Sequence, residues 1–159
     1  MKNASPTDLQ FRKLTQGDLD PLEALTRVLP FGSSWTSDAL KGELERGLAY
    51  GGFLETRLCC FILLRPPGEA YEIQWLGTGL EHHGKGFMSA LWQFVLAELP
   101  SAAKVWLEVH ESNLSARKFY EKAGFVRVGL RPRYYRDGGA AILYNFQIGV
   151  PPLGSMNLS

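Results

Sequence analysis

VWLEVHESNLSARKFYEKAGF, residues 105–125, reads as strand, turn, helix and stop. Val105, Leu107 and Val109 alternate with the period of a half-buried strand. Ala116, Phe119, Tyr120 and Ala123 recur at helical spacing, and Gly124 ends that helix. The stretch sets a carboxylate, Glu108, near the end of the strand and a phenol, Tyr120, on the helix. Asn113 stands where the helix begins. A base, an acid and a helix-entry device within thirteen residues are more chemistry than packing alone requires.

Working outward, the same periodicities organise the rest of the chain. Upstream lie a strand over 71–76, the turn LEHHGKGF over 80–87, and a helix carrying Met88, Leu91, Trp92, Val95 and Leu99. Before them, 48–54 and 58–65 form a hairpin about residues 55–57. Pro66, Pro67 and Gly68 make the loop that follows. Leu9, Phe11 and Leu14 mark a first strand. Asp18 is placed to cap a helix over 20–29, which Pro30 and Gly32 break. Thr36 or Ser37 caps a second helix with Leu40 and Leu44 inward, and Gly47 stops it. Two late extended runs cover 125–130 and 141–148. The order βααβββαβαββ predicts an α/β domain built on a mixed sheet, with helices on both faces. The β–α–β passage through 71–109 permits one parallel pair. The domain is expected over 8–149, with residues 1–7 and the Pro-, Gly- and Ser-rich tail 150–159 flexible.

Composition narrows the function. At 159 residues the chain suits one domain with a sizeable core, and 45% hydrophobic with 21% charged residues is ordinary for a soluble globular protein. A net charge of +1 gives no global reason to expect nucleic acid. Arg127, Arg131, Arg133 and Arg136 form a local basic patch. Cys59 and Cys60 are adjacent, so on a strand they point to opposite faces and do not pair. No Cys/His spacing suggests a metal site. Nothing resembles a signal peptide and no apolar run is long enough to span a membrane, so a cytoplasmic location is the expectation.

The turn at 80–87 is the second chemical feature. Glycine at 84 and 86 lets the backbone curl until successive N–H groups face one concavity. Those donors and the positive end of the following helix suit a pyrophosphate, with Lys85, His82 and His83 adding charge. A tight strand-to-helix turn would look the same. No GK[ST] follows a four-residue gap, and Ser89 stands where a GxGxxG fingerprint needs its last glycine.

Taken together, HHGKG, a helix, WLEVHESNLSARKFYEKAGF and the later GLRPRYY resemble the Gcn5-related N-acetyltransferase superfamily. Within it, the chain looks most similar to the RimI-type ribosomal-protein alanine N-acetyltransferases. The resemblance covers roughly residues 8–148 and is strongest over 81–135. It implies a mostly antiparallel sheet with a central, parallel, splayed strand pair. It implies an enzyme that moves an acetyl group from acetyl-CoA to a primary amine, without a metal. The acceptor implied is a protein N-terminus, with no nucleic acid or membrane partner. A small-molecule amine as acceptor, or a non-catalytic CoA-binding sensor, are the alternatives.

By the same resemblance, Glu108 is the general base and Tyr120 the general acid. The backbone of Gln74, Trp75 and Leu76 pairs with the pantetheine. The backbone of His82, His83, Gly84, Lys85, Gly86 and Phe87 holds the pyrophosphate. Asn113 contacts the pantetheine arm, and Tyr134 and Tyr135 line the acceptor groove. Each residue also has a plainer reading. Glu108 is then a solvated strand-end carboxylate, Tyr120 core, Asn113 a helix cap, and Tyr134–Tyr135 an edge aromatic pair. His110 reads as an exposed strand-end residue rather than a second base. The chain departs from the family pattern at Glu81, at the His82–His83 pair, and at Trp75, which either narrows the acetyl site or faces the core.

Overall fold

Eleven regular elements follow one another in the order the periodicities predict. The computed structural model describes residues 4–30, 35–66 and 69–149. The elements are β1 (Gln10–Lys13), α1 (Leu19–Arg27), α2 (Ser37–Glu45), β2 (Ala49–Leu54), β3 (Arg57–Arg65), β4 (Tyr71–Thr78), α3 (Phe87–Glu98), β5 (Lys104–His110), α4 (Leu114–Lys122), β6 (Val126–Arg131) and β7 (Ala141–Gln147). The expected break at Gly32, the loop residues Pro67 and Gly68, and the tail 150–159 lie outside the described residues. The seven strands order as β1-β2-β3-β4-β5-β7-β6. β1–β2, β2–β3, β5–β7 and β6–β7 are antiparallel, and β4–β5 is parallel. This is the mixed α/β sheet expected. No described helix is long and apolar enough to cross a membrane.

The chain divides into two units, Met1–Pro66 with Gln74–Glu98, and Pro67–Ile73 with Leu99–Ser159. In the first, β3 is buried from Leu58 to Leu64, which explains its unbroken apolar run LCCFILL. Alternation sends Ala49, Phe53, Phe61 and Leu63 into one cluster with Leu22 and Leu29 of the α1 region and Leu40 and Leu44 of α2. The intervening residues face the other way, where Tyr50 meets Phe94 of α3 edge-on at 6.3 Å. Helices therefore cover both faces of this part of the sheet, because both faces of its strands are apolar. Thr36 caps α2 by accepting the Ala39 N–H.

In the second unit, β4 pairs with β5 at Tyr71↔Val105 and Glu72↔Trp106. β7 returns to lie against β5 from Lys104↔Gln147 to His110↔Ala141. This inserts the last strand between β5 and β6 and brings the loop 132–139 to the C-terminal end of β5. β6 is the edge strand, with a register shift between Arg127 and Gly129 and with Val126, Val128 and Leu130 exposed.

One sequence expectation is corrected in the first unit. Asp18 precedes α1 but its side chain does not cap it. The carboxylate instead accepts both Arg12 guanidinium nitrogens at 2.8 and 2.9 Å and the Thr15 N–H at 2.8 Å. A bidentate charged partner outcompetes a cap amide. The Arg12 bond, reinforced by Thr15, holds the Asp18 carboxyl below its ordinary value of 3.8 despite burial. Its stabilisation is thus present above that value and is lost as pH falls through the depressed one. Asp18→Asn is expected to cost about 1–3 kcal/mol at pH 7. The gap between the two proteins in urea titrations should shrink at pH 3. A gap independent of pH would show that Arg12 is not what Asp18 serves.

Candidate active site

The turn after β4 begins with a fixed point. The Gly79 N–H donates to the Cys59 carbonyl at 2.8 Å, and the 3-10 turn Leu80–His82 follows. His82 is 7% exposed and stacks on Phe87 with ring centroids 5.0 Å apart. Neither of its ring nitrogens has a hydrogen-bond partner among the described residues, and the Glu81 carboxylate stands 3.5 Å away. Burial holds the His82 pKa below its ordinary 6.5, and Glu81 offsets this only in part. At neutral pH the ring is therefore uncharged, which corrects the expectation that His82 adds charge to the turn. His83 sends Nε2 to the Thr78 carbonyl at 2.7 Å, so that nitrogen carries the proton.

Gly84 and Gly86 have φ of +74° and +80°. Both are in the left-handed region, where a side chain is strained. A Cβ at Gly86 would also stand 3.3 Å from Pro6 Cγ. The Ala90 N–H closes the first turn on the Gly86 carbonyl at 3.1 Å, and the amides ahead of it at the start of α3 have no intrahelical acceptor. Phe87 is buried at 1% exposure, with its ring against His82. The turn thus has the curled backbone and helix start that an oxyanion needs. Its fixed positive charge is Lys85.

On β4, Gln74, Trp75 and Leu76 are half-buried. The Trp75 ring stacks on Trp35 at 5.4 Å and meets Phe61 edge-on at 5.1 Å, and both indoles pack against the α1–α2 cluster. Of the two sequence readings, Trp75 faces the core.

In the second unit, alternation along β5 sorts the chemistry. Directly opposed residues of an antiparallel ladder share a face. Leu107 opposes Tyr144 and Glu108 opposes Leu143. Tyr120 of α4 lies against Tyr144 at 6.0 Å and Phe125 at 5.3 Å. Tyr120 is therefore on the face of Val105, Leu107 and Val109, and Glu108 is on the other, with Trp106 and His110. The Tyr120 ring is 5% exposed, and burial raises its pKa well above the ordinary 10. The phenol therefore stays protonated at neutral pH. Tyr144 ties α4 down. Its hydroxyl accepts from Arg117 Nε at 3.3 Å and donates to Glu121 Oε1 at 2.9 Å. Asn113 caps α4 by accepting the Ala116 N–H at 3.3 Å.

The other face holds Glu108 in company. Arg131 Nε is 3.3 Å from Glu108 Oε1. The same carboxylate lies close enough to the Tyr134 hydroxyl to raise the phenol's pKa. Arg131 also stands over the Tyr134 ring at 5.7 Å. Glu108 is thus no bare solvated carboxylate, although both partners are half-exposed. The sequence expectation for His110 is not met. Its side chain is 12% exposed, bonded to Asp137 Oδ2 at 2.7 Å and stacked on Tyr135 at 4.8 Å. Sequence reasoning gave no role to Asp137 or Tyr144. Asp137 had one signal, a turn-forming Asp-Gly-Gly one residue after the Tyr-Tyr pair. Tyr144 had none beyond strand alternation. Among the described residues no group of three or more His, Cys, Asp or Glu is placed to hold a metal.

Three comparisons bear on this geometry. The model of the Acetyltransferase (GNAT) family matches residues 21–125. The chain is 33% identical over 134 residues to the N-alpha-acetyltransferase RimI of Mycobacterium tuberculosis, covering 80% of this chain and 84% of that protein. Its fold is similar to the ribosomal-protein-S18-alanine N-acetyltransferase of Escherichia coli, with TM-score 0.78 and 22% identity, over 94% of this chain and 99% of that one. It is also similar to the PaiA N-acetyltransferase of Thermoplasma acidophilum, solved in complex with coenzyme A, with TM-score 0.67 and 20% identity, over 87% of this chain and 99% of that one.

The burial of Tyr120 gives a test independent of any activity. Its phenol is expected to ionise above the ordinary tyrosine range, in step with alkaline unfolding. Stability tied to it is full below the ordinary value near 10 and falls as pH rises beyond it. Tyr120→Phe should remove a late-rising tyrosinate absorbance. Loss of an early-titrating phenol instead would mean that the ring is in water.

Proposed function

Belonging as it does to the Acetyltransferase (GNAT) family, this chain is an N-acetyltransferase, and we propose that its acceptor is the N-terminal α-amine of a protein. A ribosomal protein beginning with Ala is the leading candidate, on the names of its relatives. The observation that carries the reading is the division of β5 into two faces, with a carboxylate on one and a protonated phenol on the other. Amine deprotonation and thiolate protonation are the two proton transfers this reaction needs, and they occur at different atoms, the nitrogen and the sulfur.

The residues present fit acetyl-CoA as co-substrate. Two left-handed glycines leave the backbone of 82–87 clear of side chains where a pyrophosphate would lie, at the start of α3. The backbone of Gln74, Trp75 and Leu76 would pair with the pantetheine amides, while the Trp75 ring stays in the core. Asn113 would turn its amide nitrogen to the pantetheine arm, since its oxygen is engaged in the cap. Acetyl-CoA supplies the activated acyl group. Glu108 takes a proton from the ammonium, which frees the amine to attack the thioester carbon, and Tyr120 gives its proton to the sulfur as the C–S bond breaks. Arg131 and the Tyr134 hydroxyl withdraw from Glu108 as the ammonium arrives, which their exposure permits. An α-amine, with pKa about 8, is neutral far more often at pH 7 than a lysine at about 10.4, so one carboxylate suffices for it. Tyr134 and Tyr135 flank the approach.

A second reading has a specific observation behind it. Glu72 and Glu108 both act on Tyr134, and Glu108 and Asp137 both act on Tyr135. Three carboxylates about two aromatic rings also suit a small polycationic amine. In either case the domain is taken as 8–149. The cytoplasm is the compartment that fits, since Cys59 and Cys60 are buried free thiols.

An acetyl-transfer assay that reads CoA thiol release, over peptides with varied N-termini and a panel of small amines, tests the acceptor. Turnover of Ala- or Ser-starting peptides is expected, and turnover of small amines alone would sink the reading. Glu108→Gln and Tyr120→Phe should each lower kcat about 100-fold or more, with the KM for acetyl-CoA little changed. Full turnover in both would remove the mechanism.

A further inference from the structure

The His110 cluster is not used by this mechanism, yet it is more tightly built than a strand end requires. The Ser112 N–H donates to His110 Nδ1 at 3.1 Å, and the Ser112 hydroxyl meets the same nitrogen at 2.8 Å. A backbone N–H can only donate, so Nδ1 is the acceptor nitrogen and Nε2 carries the proton. That proton is directed at Asp137 Oδ2, 2.7 Å away. The other Asp137 oxygen accepts the Gly139 N–H at 2.7 Å. The Gly139 carbonyl in turn accepts the N–H groups of Tyr134 and Tyr135 at 3.0 and 3.1 Å. His110 also lies flat against Tyr135, interplanar angle 24°, and Tyr135 meets Tyr134 edge-on at 5.1 Å. A Cβ at Gly139 would collide with His110 Nε2. Asp137, Gly139, Tyr135 and Tyr134 are thus linked to one imidazole. The last side chain in the series, Tyr134, lies under Arg131, which pairs with Glu108.

We propose that His110 is a positioning residue, which, locked in one tautomer between Ser112 and Asp137, fixes the loop 132–139 and so sets the surface from which the acceptor amine reaches Glu108. The proposal rests on the reading of Glu108 as the base. His110 touches neither the acyl group nor the proton in transit. It acts through Tyr135 and Tyr134, on acceptor binding. The tautomer is what makes it specific. Were Nδ1 to carry the proton instead, the Ser112 N–H would face another N–H. The ring therefore cannot turn its lone pair toward position 137, and a donor placed there meets a donor.

Asp137→Asn tests this with little change of shape. The asparagine oxygen can keep the Gly139 N–H, but its NH2 then opposes the Nε2–H. Asp137→Asn and His110→Ala are each expected to raise KM for an Ala-starting peptide about tenfold, leaving kcat within about threefold. Affinity for CoA, measured by calorimetry without acceptor, should be unchanged. In 15N spectra of the wild type, His110 should show a protonated Nε2 and a bare Nδ1. Glu108→Gln is assayed beside them. If it loses kcat while the two variants keep the wild-type peptide KM, or lose peptide and CoA binding alike, the positioning role is overturned and the base is not. If Glu108→Gln keeps full kcat, the underlying mechanism fails, whatever His110 does.

Discussion

The period of two along β5 is the constraint on which the rest of the site depends. A strand places neighbours on opposite faces whether or not chemistry benefits. Here Leu107 and Val109 must be buried, and that requirement alone turns Glu108 and His110 to the other side. The antiparallel return of β7 then fixes what each face sees. Tyr144 falls beside Leu107 and receives Tyr120 of α4, while Ala141 falls beside His110 and starts the chain back from the loop 132–139. A one-residue slip in this ladder would exchange the faces and put the carboxylate under the helix. The packing energy of the apolar positions therefore holds the register of the polar ones.

Environment, more than residue identity, separates Tyr120 from Glu108. Tyr120 sits among rings, and burial makes its ionisation costly. Glu108 pairs with Arg131 and lies close to the Tyr134 hydroxyl, both half in water. One group is kept neutral by exclusion of water, and the other is kept accessible by partners that can leave. The turn at 82–87 follows a different rule. There His82 and Phe87 go into the interior and the two glycines carry no side chain, which leaves Lys85 as the charged side chain of 82–87.

The element order was legible from periodicity because nearly every element has an apolar face of its own. LCCFILL, VWLEV and the α3 stripe each state their neighbours. The pair Glu108–Tyr120 was legible because a strand and the helix after it are consecutive. Their placement on opposite faces was also implicit in the alternation, but which face α4 covers depended on β7, thirty residues on. Long-range side-chain pairings were the part that could not be read. Asp18 looked like a cap because it precedes a helix, and it went to Arg12, a partner on the neighbouring strand that binds through two bonds. His110 looked exposed because β5 ends there, and it was enclosed by a loop that returns from residue 137. His82 looked like a charge for the turn, and burial against Phe87 left it neutral.

The edge of the sheet carries a consequence of its own. β6 reads VRVGLR, and it exposes three aliphatic side chains along a strand that has no neighbour on its outer side among the described residues. Such a strand is a template for pairing with a second chain, which natural edges counter with charge and irregularity. Arg127 and Arg131 supply the charge, and the shift between Arg127 and Gly129 breaks the flat row of amides. Since electrostatic repulsion weakens with added salt, the part of this protection that is charge fades as ionic strength rises, and the part that is shape does not. Arg131 thus stands in two places at once, as the counter-ion of Glu108 and as a charge on the open edge.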